Sequence, residues 1–241
     1  MADFQENVLL TEEDLDENPV SRIPICLCLD VSGSMRGDPI YELNEGLKIF
    51  YRAVNEDEQA QAAADVTVVT FGEEIEVVRD FGNIKSTDLQ YYDAKELQAY
   101  GATPMGEAVE LALDHLQKRK EEYKKHGIDY YQPWLILMTD GTPNGDAGLL
   151  RRMQEEVRTE VANKKLTIIP IAVGKEASSD ALGQFTPDGK VCRLKGLNFR
   201  EFFTWLSKSV AKISQSIPGE FVPLDPPLDW QDLSYGKNNS H

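Results

Sequence analysis

Cysteine and histidine are scarce in this chain, three of each in 241 residues. Three cysteines do not make a disulfide framework, and Cys26 and Cys28 lie two apart in one apolar run, on the same face of a strand. All three read as reduced core or near-core residues of a cytoplasmic protein. A thiolate metal site has no support either. No second Cys/His pair accompanies the C-x-C, and His115, His126 and His241 are scattered. Basic charge is also short, with 25 Lys and Arg against 41 Asp and Glu, a net of −16. Such a surface repels phosphate backbones, which argues against nucleic acid as a partner, and it suits cations or basic surfaces. No apolar stretch reaches the length of a membrane span, so no membrane partner is expected. The opening residues MADFQENVLLTEEDLDENP have neither a basic n-region nor a continuous apolar h-region, so no signal peptide is expected. Catalytic signatures are missing as well. There is no G-x-S-x-G elbow, no P-loop, and no G-x-G-x-x-G after the first strand.

What is present is an alternation of strands and helices. IPICLCLD (23–30) is an apolar run of strand length, as in the middle of a parallel sheet. PIYELNEGLKIFYRAVNED (39–57) carries Ile40, Leu43, Leu47 and Phe50 at helical spacing behind Pro39. DVTVVTFG (65–72) and EIEVVRDF (74–81) are close enough for a hairpin, which makes the second an antiparallel edge strand. Residues 82–103 read as a long loop. The helix 104–127 ends in a basic turn and Gly127, and its LysArgLys and LysLys groups read as a solvated face. PWLILMTD (133–140) is a strand, followed by a helix over 147–164 and the strand 166–174. A short helix (178–185), a strand at 190–194 and a helix over 198–215 complete the core. Trp134, Trp205 and Trp230 read as packing residues, and Phe199, Phe202 and Phe203 as the seat of the last helix. The pattern predicts one three-layer, Rossmann-like α/β domain over 22–217 with a mostly parallel sheet. An acidic arm (1–21), with a helical turn capped by Thr11, precedes it, and a Pro-rich extended tail (218–241) follows it.

In such sheets ligands gather at the carboxyl ends of strands. Three polar groups fall there independently. Asp30, Ser32 and Ser34 follow the first strand, Thr103 precedes the long helix, and Asp140 ends a strand. Two carboxylates and three hydroxyls converging on one point form a hard, all-oxygen site. That chemistry suits Mg²⁺, with Mn²⁺ or Ca²⁺ tolerated. The two formal charges would neutralise the ion and leave it coordinatively unfilled, open to a partner's Asp or Glu. Gly33 is expected to relieve crowding between the serines. Thr103-Pro104 also reads as a helix cap with proline at the first helical position, and Asp146 as a cap of the following helix before a metal neighbour.

DVSGSM, GATPMG and LMTDG, in this order, resemble the metal-ion-dependent adhesion site (MIDAS) of von Willebrand factor type A domains, over about residues 22–217. The resemblance implies Ser32 and Ser34 as direct ligands, Asp30 and Asp140 acting largely through water, and Thr103 direct or water-mediated. It also implies that the last helix shifts as the site opens or closes. DPIYELNEGLKIF, GATPMGEAVELALDHLQKRKEEY, YYQPWLILMTDGTPNGD and LKGLNFREFFTWLSKSV look like stand-alone bacterial proteins of the TerY kind. That likeness implies a phospho-signalling complex with a kinase and a PP2C-type phosphatase in tellurite resistance and stress response. An adaptor for a MoxR- or chelatase-type AAA+ ATPase is the alternative binding role.

LCLDVS also resembles the start of a haloacid-dehalogenase-type phosphatase, in which a second Asp two residues on serves as the acid. Here Ser32 stands at that position, so the general acid is missing. The chain is therefore expected to be a binding module and not an enzyme, with a Mg²⁺-dependent phosphohydrolase as the enzymatic alternative.

Overall fold

The computed structural model describes residues 20–84, 96–174, 177–218 and 222. The N-terminal arm up to Pro19, its Thr11-capped turn, Trp230 and nearly all of the tail lie outside the described residues.

The eight residues of β1 (Ile23–Asp30) are all buried, which is what a continuous apolar run predicts for a strand covered on both faces. β1 pairs in parallel with β2 (Ala64–Phe71) on one side and β4 (Trp134–Thr139) on the other. β3 (Ile75–Arg79) returns antiparallel beside β2 as the edge strand, and β5 (Thr167–Ala172) and β6 (Cys192–Arg193) continue the parallel sheet beyond β4. The order is β3-β2-β1-β4-β5-β6. The expected three-layer α/β fold with one antiparallel edge strand is the fold found.

Alternation along β1 sorts the two cores. Ile23, Ile25, Leu27 and Leu29 face α1 (Asp38–Glu56), α2 (Glu58–Ala63) and α6 (Phe199–Ser214). Cys26 and Cys28 face α3 (Met105–His126), α4 (Ala147–Ala162) and α5 (Ser179–Gly183). All three cysteines are free, and burial pushes the Cys26 thiol up, so neither it nor Cys28 is a ready thiolate. Phe199, Phe202 and Phe203 seat α6 against α1, as their spacing predicts. The helices approach so closely that a Cβ on Gly46 would lie 2.5 Å from the Phe203 ring. Trp134 and Trp205 are core residues.

Two expectations need correction. The helix expected over 39–57 stops at Glu56, where Asp57 accepts hydrogen bonds from the amides of Gln59 and Ala60 and starts α2. As an N-cap, Asp57 has an extended backbone (φ −104°, ψ 109°), which cannot continue the preceding helix. The basic LysArgLys of α3 is not all solvated either. Lys118 is exposed and pairs with Asp114, but Arg119 is buried, with Nε 2.7 Å from Asp65 Oδ2 and a second ion pair to Glu122. Arg119 lies between Leu116 and Tyr123 on the inward stripe, and Tyr123 donates its hydroxyl to the same Asp65 oxygen. α3 ends on Gly127 in the left-handed conformation (φ 69°), as expected. No helix among the described residues is long and apolar enough to cross a membrane.

The topology creates one crevice at the carboxyl edge. β1 and β4 are neighbours. The chain leaves β1 toward α1 on one face and leaves β4 toward α4 on the other. The loops part above the strand ends, and that opening is where such sheets accept ligands.

Candidate metal centre

All five sequence-predicted side chains reach this crevice. Asp30 is the last residue of β1 and is fully buried. Its Oδ1 accepts the amide of Ser32 at 2.7 Å, and its Oδ2 accepts the Thr139 hydroxyl from the end of β4. Ser32 then starts a single 3₁₀ turn, Gly33–Met35, closed by the Met35 amide donating to the Ser32 carbonyl at 3.0 Å. The turn brings Ser32 Oγ and Ser34 Oγ within 3.0 Å, and Ser34 Oγ donates to Asp140 Oδ1 at 2.7 Å. Serine hydroxyls thus link the loop after β1 to the residue after β4. Thr103 is buried, and a Cβ on Gly141 would sit 3.1 Å from Thr103 Oγ1 and 3.8 Å from Ser34 Oγ. A small residue after Asp140 therefore lets three loops meet.

The Thr103 loop is built differently from the expectation. Pro104, not Thr103, occupies the N-cap of α3, and no side chain caps that helix. Thr103 is held instead by Asn144, whose Oδ1 accepts the Thr103 amide at 2.8 Å and whose backbone N–H donates to the Thr103 carbonyl at 3.2 Å. This frees the Thr103 hydroxyl for the crevice. Gly33 also acts differently. Its amide donates to the Gly101 carbonyl at 3.0 Å, so its neighbour is the loop before Thr103 and not the two serines. Thr139 and Asn144 are the residues that sequence reasoning missed.

Asp146 is the N-cap of α4, accepting from the amides of Gly148 at 2.7 Å and Leu149 at 3.0 Å. Those amides hold its carboxyl below the usual range. Asp146→Ala is expected to lower stability, because the amides of Gly148 and Leu149 lose their acceptor at the start of α4. Metal affinity should stay at the wild-type value. Chemical denaturation alongside a Mn²⁺ titration separates the two effects, and a fall in affinity would make Asp146 part of the centre.

The electrostatics are those of a site short of positive charge. Burial pushes the Asp30 carboxyl up to about 6, the Ser32 and Thr139 hydrogen bonds pull against that rise, and the neighbouring Asp140 charge adds to it. Burial likewise raises Asp140, opposed by the Ser34 hydroxyl. Among the described residues neither carboxylate pairs with a basic side chain. Nor does any group of three His, Cys, Asp or Glu side chains among them stand where it could hold a metal ion. A site here must therefore be made of two carboxylates and hydroxyls, a hard oxygen set that fits a divalent cation of the Mg²⁺ or Mn²⁺ kind.

Comparison with known proteins agrees with this architecture. The sequence model of the von Willebrand factor type A domain matches residues 25–202. The chain belongs to the von Willebrand factor type A family. It is 24% identical over 164 residues to an uncharacterized Synechocystis protein, and the match takes in 67% of this chain and only 35% of that protein. Among solved structures, a von Willebrand factor type A protein from Catenulispora acidiphila superposes with a TM-score of 0.60 at 16% identity, covering 79% of this chain and 43% of that one. Proximal thread matrix protein 1 of the mussel byssus, solved with zinc in its MIDAS motif, gives 0.57 at 18% identity over 80% of this chain and 49% of its own. Manganese-loaded TRAP protein of Plasmodium vivax gives 0.53 at 19% identity, covering 80% and 72%. These likenesses establish a shared type A fold.

Proposed function

We propose that the chain is a metal-dependent protein-binding module. In this reading Asp30, Ser32, Ser34, Thr103 and Asp140 hold one divalent cation at a MIDAS, and a carboxylate of another protein completes its coordination. The observation that carries the reading is the Asp30–Ser32–Ser34–Asp140 constellation, with two partly desolvated carboxylates, hydroxyls between them and, among the described residues, no basic side chain paired with either carboxylate. Zinc in the MIDAS motif of the mussel byssus protein, and manganese loaded into the Plasmodium vivax protein of similar fold, support a divalent ion here. Mg²⁺ is the ion we favour, because two carboxylates with hydroxyls leave room for the waters it keeps.

When bound, the cation supplies a Lewis-acidic position that accepts a partner's carboxylate oxygen. The protein's own groups do the rest. Asp30 and Asp140 supply charge, and Ser32, Ser34 and Thr103 supply direction. Thr139 fixes the Asp30 carboxylate, and Asn144 fixes the Thr103 loop. The TerY-like stretches point to a bacterial kinase–phosphatase signalling assembly as the setting, which is the finer part of the proposal.

Calorimetric titration of Mg²⁺ and Mn²⁺ into wild type and Asp140→Ala tests the first step. The expected result is a single site in wild type, weakened at least about tenfold by removing the charge. Equal affinity in both proteins would remove the centre. A protein captured from bacterial lysate, released by EDTA and not captured by Asp140→Ala, would then test the second step.

A further inference from the structure

We propose that Arg36, held over Tyr100 beside the candidate metal centre, is a second anion-binding position, and that the partner therefore presents two carboxylates, one to the cation and one to this guanidinium. The inference deepens the binding-module reading and rests on it. Arg36 lies two residues beyond Ser34 and is exposed. Its Nε donates to the Ala99 carbonyl at 3.1 Å, and its guanidinium carbon stands 5.1 Å from the centre of the Tyr100 ring. Tyr100 is itself 49% exposed, and its amide donates to the Val31 carbonyl at 2.8 Å, so ring and arginine belong to the same two loops that hold the serines and Thr103.

Three features make this arginine a binding group and not merely a solvated charge. In a chain of net charge −16, no carboxylate among the described residues pairs with it. Its Nε contact and the ring beneath it fix the plane of the guanidinium, which lowers the side-chain entropy lost on binding. The two terminal nitrogens bond nothing among the described residues and can form the forked pair that carboxylates accept from arginine. An acidic surface otherwise repels an acidic partner. A fixed cation next to the metal gives that partner a local reason to approach and a way to be oriented, because a carboxylate on the cation alone leaves the rest of the segment free to rotate.

The probes are glycine hexapeptides carrying either one aspartate or two, the second placed one to four positions after the first. Their binding is measured in Mn²⁺ to wild type, Arg36→Ala, Arg36→Lys and Asp140→Ala. The best two-acid peptide should bind wild type about two- to fivefold more tightly than the one-acid peptide, the range an exposed but well-placed ion pair is worth. Arg36→Ala should erase that preference and leave one-acid binding unchanged, and Arg36→Lys should keep part of it. Equal affinity for one-acid and two-acid peptides at every spacing would overturn the proposal. So would a loss of both affinities alike in Arg36→Ala, since that is what a merely structural arginine does, or Mn²⁺ binding with no peptide binding at all. Failure of the metal reading looks different. Peptide binding would then survive EDTA and Asp140→Ala, whatever Arg36 contributes.

Discussion

Asp30→Asn is expected to cost the protein its metal and, at neutral pH, to make the metal-free form more stable. The substitution keeps the shape of the side chain. The asparagine carbonyl can still accept the Ser32 amide, and its NH₂ can donate to the Thr139 hydroxyl that now donates to Asp30. What disappears is a buried negative charge. A divalent cation loses one of two carboxylates, and affinity should fall at least about a hundredfold, the upper end of what even an indirect metal partner is worth. Without metal the sign reverses. The Asp30 carboxyl of the folded protein is raised to about 6, against 3.8 ordinarily, chiefly by burial. A group whose folded pKa is raised stabilises the protein while it is protonated, and that contribution is lost as pH rises through the folded value. Ionised Asp30 should therefore cost the metal-free protein up to about 3 kcal/mol above about pH 6, at about 1.4 kcal/mol per pKa unit. Asparagine has no such dependence. In EDTA, the stability gap between Asp30→Asn and wild type should be small near about pH 4 and widen to about 3 kcal/mol by about pH 8. Saturating Mg²⁺ should reverse the order at the higher pH by binding only the wild-type fold. Urea unfolding at the two pH values, with EDTA and with Mg²⁺, measures all three differences. A pH-independent gap would mean that charge burial is not what strains this position.

The fold was legible because each strand carries its own instruction. β1 is apolar at every position before Asp30, which only a doubly covered strand requires, and the parity of Ile25, Leu27 and Leu29 against Cys26 and Cys28 matches the two cores. All five candidate side chains were legible for a related reason. Asp30 ends β1, Ser32 and Ser34 follow it, Asp140 follows β4 and Thr103 precedes α3, so short oxygen-bearing residues recur at three turns that the crevice between β1 and β4 collects. Their supports were not legible. Thr139 reads as one more β-branched strand residue. Its role appears only in the register that places β4 beside β1, with Leu29 opposite Met138. Asn144 reads as a turn residue in TPNGD, yet it clamps a loop 41 positions earlier. Arg119 misled because a basic run looks solvated until Asp65, 54 residues away, is seen waiting for it. Periodicity carries the placement of elements along one chain segment. Contacts between segments depend on register and crossing, which periodicity leaves open.

Gly101→Ala should damage both the fold and the centre, although residue 101 contributes no side chain to either. The loops at 31–34, 72–73 and 99–103 pack backbone against backbone. Gly33 donates to Gly101, Tyr100 donates to Val31, and a Cβ on Gly72 would lie 2.5 Å from the Tyr100 carbonyl oxygen. Gly101 is the tightest point. Its φ is +80°, and a Cβ there would sit 2.3 Å from both the Cα and the amide nitrogen of Glu73. Backbone atoms cannot rotate away as a side chain can, so the loop itself must move. The left-handed conformation costs a residue with a Cβ about 1–2 kcal/mol, and forced overpacking adds about 1–3 kcal/mol. A total loss near 3 kcal/mol is expected in urea unfolding. Thr103 is two residues along the displaced loop, so Mn²⁺ affinity of the folded variant should drop roughly tenfold. Gly127→Ala separates the two causes. Gly127 is left-handed (φ 69°, ψ 26°), but a Cβ there meets nothing within 4 Å, so it should show the conformational cost alone, about 1–2 kcal/mol, with wild-type metal affinity. If Gly101→Ala behaved like Gly127→Ala in both measurements, close packing of the three loops would not be what holds Thr103 at the strand ends, and the centre would have to draw its geometry from Asn144 alone.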